Sequence, residues 1–337
     1  LASNLCKKGI KVDVVTRKVQ FHKYKEKIDK YNVYRLGTRM PKVSFLVSLF
    51  FFILSNRNKY HVIHVHTLNS PAIVCSVVGK ILKIPVVLKV TRSGKGTQLS
   101  RYRDSGLGKI IFSFLTSSFF IAITEEVNSE LKEFGIGSNK IRQIPNGVSI
   151  PPEIEKSNQI LKIAYIGRLI KRKRVDLLLE AIANIKSDND FLVSIVGGGN
   201  EEGYLKQLAS NLNIQNICSF DGELAHEEVS QLLMQSDIFV LPSNSEGMSN
   251  ALLEAMASSN AVIVSNITAN KQLIVDKENG ILFSDKRDLE EALCLTIDNY
   301  KIRLQLANQA KVTISSSYSF NGVADSYIGL YEELCCV

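Results

Sequence analysis

The chain of 337 residues is 45% hydrophobic and carries a formal net charge of +8. This length is ample for a large buried core and predicts two domains of roughly 150 residues each. No apolar run reaches the about 18 residues that a transmembrane helix needs, so no transmembrane helix is expected. The 6 cysteines lack metal-ligand spacing, and such sparse use fits a reducing compartment.

The net charge conceals a difference between the two halves. Residues 1–150 hold 25 Lys and Arg against 8 Asp and Glu, a net +17, whereas residues 151–337 hold 16 against 25, a net −9. The first half is therefore expected to face an anionic membrane surface, a phosphorylated acceptor or nucleic acid. The densest basic stretch, residues 17–31, has no nucleic-acid module signature, so nucleic acid is not expected as a partner.

In the first half, short β-branched runs alternate with helical patterns. Strands are predicted at 11–16, 61–66, 85–90, 119–124 and 140–145, with helices at 43–57, 70–83, 106–117 and 125–134. This alternation is typical of a parallel sheet covered by helices. The apolar stretch Val43–Leu54 is too short to span a membrane, and we interpret it as a core helix rather than a membrane-dipping one.

A breaker-rich connector over Pro145–Gln159 predicts a domain boundary between residues 148 and 149. The alternation then resumes. Strands are predicted at 161–167, 191–197, 216–220, 237–242, 261–265 and 280–283, with helices at 174–187, 201–212, 225–235, 249–258, 286–312 and 319–334. The sequence thus predicts an α/β protein of two doubly wound domains.

In open parallel sheets, ligands bind beyond the carboxyl ends of the strands. The loops that follow the predicted strands of the second half are rich in glycine or charge, and all would lie on one edge of the sheet. They contain Gly167-Arg168, Gly197-Gly198-Gly199, Asp221-Gly222-Glu223 and Ser243–Gly247.

Gly167, Arg168 and Lys173 lie where a strand gives way to a helix. A glycine allows close approach, and two cations beside it could hold a diphosphate. A solvated basic helix start is an equally good interpretation at this point. The glycine run that begins at Gly197 fails the dinucleotide pattern because Glu202 occupies the third glycine position. The short acidic motif Asp188–Asp190 sits in a polar turn, and no metal site is expected.

The stretch SNSEGMSNALLEAMA places Glu246 in a polar loop and Glu254 in an apolar helix, with seven residues between them. A helix that begins near Ser249 or Asn250 offers backbone N–H groups to a phosphate. Glu254 would follow about 6 Å along the axis, at ~1.5 Å per residue. It could bind the two hydroxyls of a ribose, and Glu246 could contact a sugar. The alternative is that Glu254 is a surface residue, although a carboxylate among apolar neighbours needs partners.

These residues resemble the signature of glycosyltransferase family 4, the retaining enzymes of the GT-B fold that use nucleotide sugars. The resemblance covers nearly the whole chain: EGMSNALLEAMA, GRLIKRK, IVGGGNEE and IRQIPNGV resemble family motifs, and LASNLCKKGIKVDVVT resembles the start of the fold. It implies two Rossmann-like domains that face a cleft, over 1–148 and 149–315. A final helix within 316–337 would cross back to the first domain.

The resemblance also implies roles for single residues. Arg168 and Lys173 would hold the donor diphosphate and stabilise the departing nucleotide, Glu254 would bind the ribose, and Glu246 would contact the sugar near its anomeric carbon. The remaining donor-binding candidates are Gly167, Gly198, Gly199, Gly222, Glu223, Gly247, Met248, Ser249 and Asn250. Neither metal nor cofactor is implied, because cations and helix dipoles would neutralise the leaving group.

Two features depart from the family pattern. Family members have a strand and a glycine-rich loop before the segment that matches LASNL. We therefore expect the natural chain to begin upstream of Leu1. Many members also carry a histidine where Arg92 and Ser93 stand here. Arg92 and Ser93 are therefore candidates for acceptor contact. His64 and His66, at the end of a predicted strand, have either an acceptor-binding or a structural role.

The expected function is transfer, with retention, of a hexose or N-acetylhexosamine to a lipid-linked or oligosaccharide acceptor in cell-surface polysaccharide synthesis. The donor would be a nucleotide diphosphate sugar, first of all a UDP-sugar. The protein would be cytoplasmic, and its basic first domain would bind the anionic inner face of the membrane. The alternative is a catalytically idle subunit that binds nucleotide sugar.

Overall fold

The computed structural model describes residues 1–18, 23–37, 43–92, 94, 97–103, 106–154, 156 and 160–336. The chain divides into two compact units. Unit 1 comprises Leu1–Gly147 with Phe320–Val337, and unit 2 comprises Val148–Ser319. Among the described helices, none combines the length and apolar character that crossing a bilayer requires.

Unit 1 contains the elements up to β7 and one helix from the C-terminal end of the chain. The labels are numbered along the whole chain. The elements are α1 (Ala2–Lys7), β1 (Asp13–Arg17), β2 (Lys25–Ile28), β3 (Tyr31–Leu36), α2 (Val43–Ser55), β4 (Ile63–Val65), α3 (Ser70–Leu82), β5 (Val86–Val90), α4 (Gln98–Arg103), α5 (Gly106–Leu115), β6 (Phe119–Ala122), α6 (Glu125–Glu133), β7 (Ile141–Gln143) and α14 (Phe320–Cys335). The strands predicted in this half are thereby confirmed.

The described strands of unit 1 form a parallel sheet in the order β4-β5-β6-β7 and a smaller sheet in the order β1-β3-β2. Strand β5 is buried on both sides. Val86, Leu88 and Val90 share one apolar core with side chains of α2, α3 and α5, whereas Val87 belongs to another core with side chains of α1 and α14. The unit is therefore a sheet between two helical layers, as expected for parallel strands.

The antiparallel pair β2–β3 was not predicted. Strand β2 reads KEKI and is exposed at every position, so it carries no alternation of apolar and polar residues. Pairing with the partly buried β3 defines it instead. Such a strand is specified by its neighbour rather than by its own sequence pattern.

The elements of unit 2 again alternate strand and helix. They are β8 (Leu161–Ile166), a 3₁₀ turn (Lys171–Lys173), α7 (Val175–Asn184), β9 (Phe191–Val196), α8 (Glu202–Asn211), β10 (Cys218–Gly222), α9 (His226–Gln235), β11 (Ile238–Leu241), α10 (Asn250–Ala257), β12 (Ala261–Ser265), α11 (Thr268–Lys271), β13 (Ile281–Phe283), α12 (Lys286–Asp298) and α13 (Tyr300–Ser317). Their parallel sheet has the order β10-β9-β8-β11-β12-β13. The strand order reverses between β8 and β11, which is the usual place for a ligand in this fold.

One helix prediction in unit 2 is wrong. The helix expected over residues 286–312 is two helices, α12 and α13, separated at Asn299. The Asn299 side chain accepts a hydrogen bond from the Ile302 N–H at 3.1 Å and so caps α13. An asparagine that competes for backbone N–H groups starts a new helix here, although the apolar periodicity continues through it.

Candidate active site

The loops after β8 and β9 are joined backbone to backbone at the carboxyl edge of the unit 2 sheet. The Leu169 N–H donates to the Gly198 carbonyl at 2.9 Å, and the Gly167 N–H donates to the Val196 carbonyl at 3.0 Å. A Cβ on Gly197 would lie 2.0 Å from the Gly167 oxygen, and one on Gly199 would lie 2.1 Å from the Leu169 oxygen. Gly197 and Gly199 are therefore required by contact between these loops.

At the other predicted glycine positions, an added Cβ would meet a side chain or open space. A Cβ on Gly167 would lie 2.8 Å from the hydroxyl of the buried Tyr165, and one on Gly198 would lie 3.3 Å from the Glu223 carboxylate. Gly222, with φ of +69°, has no atom within 4 Å of that position. Glu223 is exposed just beyond it. These loops leave room for a ligand beside Glu223 and Gly222.

A buried ion pair joins the loops that follow β8 and β11. Lys173 is 8% exposed, and its ammonium bonds to the carboxylate of Glu246. The Arg172 guanidinium lies 3.8 Å from the other Glu246 oxygen and donates to the Ser245 carbonyl at 2.6 Å. Glu246 therefore lies between two cations, at the place where the strand order reverses between β8 and β11. Sequence reasoning missed Arg172, because four basic residues crowd into 171–174.

Arg168 is exposed in the same loop. Its side chain forms no hydrogen bond or ion pair with any residue that the structure describes. The Tyr165 hydroxyl donates instead to the Arg168 carbonyl at 3.2 Å, which holds the backbone at this point. The guanidinium is thus available to an anionic ligand at the edge where Lys173 and Glu246 meet.

Buried polar groups fix the position of the loop before α10. The Ser265 hydroxyl donates to the Ser243 carbonyl at 2.5 Å, and the Asn270 amide donates to the Ser265 carbonyl at 2.8 Å. The Ser243 hydroxyl is fully buried and has no partner among the described residues. This network fixes the start of the loop that carries Glu246, and no sequence pattern indicated it.

Helix α10 begins as predicted. The Ser249 hydroxyl accepts a hydrogen bond from the Leu252 N–H at 3.4 Å and caps the helix. Gly247 and Met248 are partly buried before it, and Asn250 is exposed in its first turn. The N-terminal turn of α10 therefore lies beside the loop of Glu246, with its dipole directed at the carboxyl edge.

Glu254 is partly exposed on α10, although its neighbours Leu252, Leu253, Ala255 and Met256 are buried. Its side chain is 26% exposed, and one carboxylate oxygen lies 4.0 Å from Nδ1 of His226 at the start of α9. Burial raises the pKa of Glu254, and the nearby His226 opposes this rise. No hydrogen bond or ion pair joins Glu254 to the pair Lys173–Glu246 in the described structure. His226 was not identified from the sequence.

The raised pKa of Glu254 predicts a pH-dependent effect of Glu254→Gln on stability. The folded protein holds this proton to a higher pH than the unfolded chain does, so ionisation above that pKa opposes folding. We expect Glu254→Gln to raise the melting temperature at pH 7.5 and to leave it unchanged at pH values low enough to protonate the carboxyl in both states. Melting curves at both pH values check this, with the exposed Glu227→Gln on α9 as control. A gain from Glu254→Gln that is equal at both pH values contradicts the burial argument.

The acceptor candidates lie in unit 1. The His64 and His66 rings stack at the end of β4 with centroids 4.4 Å apart, and the Tyr331 hydroxyl lies 2.7 Å from Nδ1 of His64. Burial, with help from His66 and Lys89, holds the pKa of His64 well below its usual value. His64 is therefore neutral and packed. His66 is more exposed, but partial burial of its ring and the charge of Lys89 lower its pKa to about 4, so it is neutral as well.

Lys89 is a buried cation in this region that sequence reasoning missed. It is 9% exposed on β5, and burial lowers its pKa to about 8. Its ammonium lies 5.8 Å from the ring centre of Tyr327. Arg92 follows β5 and has a buried Nε without a partner among the described residues. Ser93 lies outside the described residues.

Two family models match the chain in succession. Residues 1–150 match Glycosyltransferase Family 4, and residues 149–313 match Glycosyl transferases group 1. Among the described residues, no group of three or more His, Cys, Asp or Glu could hold a metal ion.

A relative and two solved structures are similar over large parts of the chain. The N,N'-diacetylbacillosaminyl-diphospho-undecaprenol alpha-1,3-N-acetylgalactosaminyltransferase of Campylobacter jejuni is 28% identical over 260 residues, 72% of this chain and 66% of that protein. Sucrose-phosphate synthase of Thermosynechococcus elongatus superposes with a TM-score of 0.80 at 19% identity, over 99% of this chain and 92% of that one. Anabaena HepE in complex with UDP and glucose gives a TM-score of 0.75 at 17% identity, over 90% and 86%.

The superpositions and the two parallel sheets confirm the predicted GT-B class, built of two Rossmann-like α/β units. The family models cover both units almost end to end. The chain therefore belongs to glycosyltransferase family 4.

Proposed function

We propose that this glycosyltransferase moves a hexose or N-acetylhexosamine, with retention, from a nucleotide diphosphate sugar to a lipid-linked or oligosaccharide acceptor in cell-surface polysaccharide synthesis. The observation that supports this most is the buried pair Lys173–Glu246 beside the first turn of α10. A cation, a carboxylate and a helix N-terminus together suit a diphosphate that is linked to a sugar.

In this proposal the donor diphosphate lies between Lys173, Arg168 and the N-terminal turn of α10. The phosphate competes with Glu246 for the ammonium of Lys173 and leaves the Glu246 carboxylate to the sugar hydroxyls. The ribose hydroxyls donate to Glu254, whose partial burial makes such bonds strong. Gly222, Glu223 and His226 border the base.

Retention follows from attack on the face that the nucleotide leaves. The bond between the anomeric carbon and the diphosphate oxygen breaks, and the acceptor oxygen bonds to the same face of that carbon. The acceptor proton passes to the departing phosphate oxygen. Lys173, Arg168 and the α10 dipole stabilise the charge that develops there, so that neither a metal nor a cofactor is needed.

The donor and acceptor classes draw support from similar proteins. HepE is described in complex with UDP and glucose, and the Campylobacter relative is named for a diphospho-undecaprenol substrate. We therefore propose a UDP-sugar donor and an acceptor of lipid-linked type. The exposed His66 and the partly buried Arg92 are the proposed acceptor contacts, and the positive first half would hold the enzyme at the anionic inner face of the membrane.

A thermal-shift panel of UDP-, GDP- and ADP-sugars tests the donor site. One nucleotide is expected to raise the melting temperature of the wild type, and Glu254→Ala is expected to lose most of that shift. The exposed Glu227→Ala on the neighbouring α9 serves as control and should keep the shift. Equal shifts in wild type and Glu254→Ala would remove Glu254 from the donor site.

Turnover separates the enzyme from an idle binding subunit. With a UDP-sugar and a lipid-diphosphate acceptor, the enzyme releases UDP and yields a product of retained anomeric configuration, which NMR can assign. Stabilisation by the nucleotide sugar without any UDP release, over a panel of lipid-linked and oligosaccharide acceptors, would favour the subunit.

A further inference from the structure

Three helices of unit 1 pack side by side in one outer layer, in which α3 contacts β4 and β5 and α2 contacts β3. Helix α3 packs against α2 on one side and against α5 on the other. Their inner faces bury Leu49, Phe52, Cys75, Val78 and Phe112 in a common core. We call the opposite, solvent-facing side of α2, α3 and α5 the outer helical face.

Helix α2 is apolar on both sides. Val43, Val47 and Phe51 are 67%, 50% and 59% exposed, and their spacing of four residues places them on one stripe. Leu49, Phe52 and Ile53 are buried on the opposite side. The core-helix prediction for residues 43–54 is thus right for one side only. A helix that packs only on a soluble core has a polar outer side.

The same exposure continues on the neighbouring helices. Ile110 and Phe114, four residues apart on α5, are 61% and 51% exposed, and Ile81 at the end of α3 is 68% exposed. Exposed apolar side chains on helices that pack side by side indicate an interaction site, whereas single scattered ones do not.

The charge around the outer helical face is mainly positive, with the exposed Glu133, beside Lys109 and Ser113 of α5, as an acidic exception. Residues 43–124 contain 10 Lys and Arg and a single acidic residue, Asp104. Arg57 follows α2, and Lys80 and Lys83 flank the exposed Ile81; all three are exposed. Lys80 and Lys83 also line a cavity of about 540 Å³ together with His61 and Ser117. An apolar surface with a basic border complements an anionic lipid surface.

We infer that the outer helical face docks on an anionic lipid bilayer, with Val47, Phe51, Ile110 and Phe114 in the acyl boundary and the basic border on lipid phosphates. This inference rests on the proposed function, in which charge alone holds unit 1 at a membrane. A second copy of the chain fits the face less well, because a two-fold contact would bring its basic border close to that of the partner. A peripheral protein needs apolar contact in addition to charge for stable binding.

Vesicle co-flotation of the full chain tests the inference. Wild type should float with vesicles of phosphatidylglycerol and phosphatidylcholine, and Phe51→Ser/Phe114→Ser should lower the partition coefficient at least tenfold. Both side chains are more than half exposed, so the double variant should keep its fold. The matched control is Val312→Ser on α13 of unit 2, where the valine is 58% exposed and flotation should not change.

A second variant isolates the basic border. Lys80→Gln/Lys83→Gln should weaken flotation at low salt and have less effect at high salt, because salt screens exposed charges. The nucleotide-sugar thermal shift is measured on the same samples. A variant that loses flotation and keeps the shift supports docking through this face, whether or not the donor site is assigned correctly.

Three outcomes would overturn the inference. The first is flotation of the Phe51→Ser/Phe114→Ser variant equal to that of wild type, which would leave charge as the sole contact. The second is absence of wild-type flotation at any content of anionic lipid. The third is a wild-type dimer in sedimentation that the double serine variant dissociates without any effect on vesicles, which would assign the face to a second copy.

Discussion

Lys173→Ala is expected to reduce the rate of sugar transfer by about 100- to 1,000-fold, the usual cost of removing one group that stabilises transition-state charge. The change removes the buried ammonium that we place on the departing diphosphate. It also leaves the Glu246 side chain, which is 8% exposed, with Arg172 at 3.8 Å as its remaining cation. Removing one partner of a buried pair costs about 3–5 kcal/mol of stability. Both the transfer rate and the melting temperature should therefore fall.

Lys171→Ala is the matched control for this change. Lys171 lies in the same 3₁₀ turn but is exposed, so its removal should change the transfer rate less than about threefold, within the range of surface substitutions. The double variant Lys173→Ala/Glu246→Ala, together with Glu246→Ala, completes a double-mutant cycle. We expect it to recover stability relative to Lys173→Ala without recovering transfer. Recovery of transfer in the double variant would show that Lys173 acts only as the partner of Glu246.

Gly197→Ala is expected to destabilise unit 2 by at least about 3 kcal/mol. The φ of Gly197 is +129°, a conformation that alanine rarely adopts, and the added Cβ would lie 2.0 Å from the Gly167 carbonyl oxygen. Backbone cannot retreat as a flexible side chain can, so the loops after β8 and β9 must separate. Urea unfolding followed by circular dichroism measures the loss of stability, and the nucleotide-sugar shift should disappear with it.

Gly203→Ala is the opposite case within the same segment. Gly203 lies in the first turn of α8 and has no atom within 4 Å of an added Cβ. Alanine there should stabilise the protein by about 0.5–1 kcal/mol, because it favours the helix and restricts the unfolded chain. A Gly197→Ala protein that is as stable as Gly203→Ala would contradict the close approach of the two loops.

The sequence alone located nearly every strand of both parallel sheets, because buried β-branched runs between helical patterns are a local signal. The spacing of Glu246 and Glu254 and the resemblance to family 4 also follow from local sequence, since both residues belong to one loop and one helix. The charge difference between the halves needed no structure either. These features depend on residues that are close in the chain.

Other features depended on the tertiary structure, because they join distant segments. Lys173 and Glu246 are 73 residues apart and meet because β8 and β11 are neighbours in the sheet. His226 reaches Glu254 only because α9 packs against α10. From the sequence alone, the glycine run after β9 could be explained by contact with a ligand or by a simple turn. The structure explains Gly197 and Gly199 by the close packing of the loops after β8 and β9. Helical periodicity identified α2, but the packing of α3 and the sheet decided which of its apolar side chains are buried and which are exposed to water.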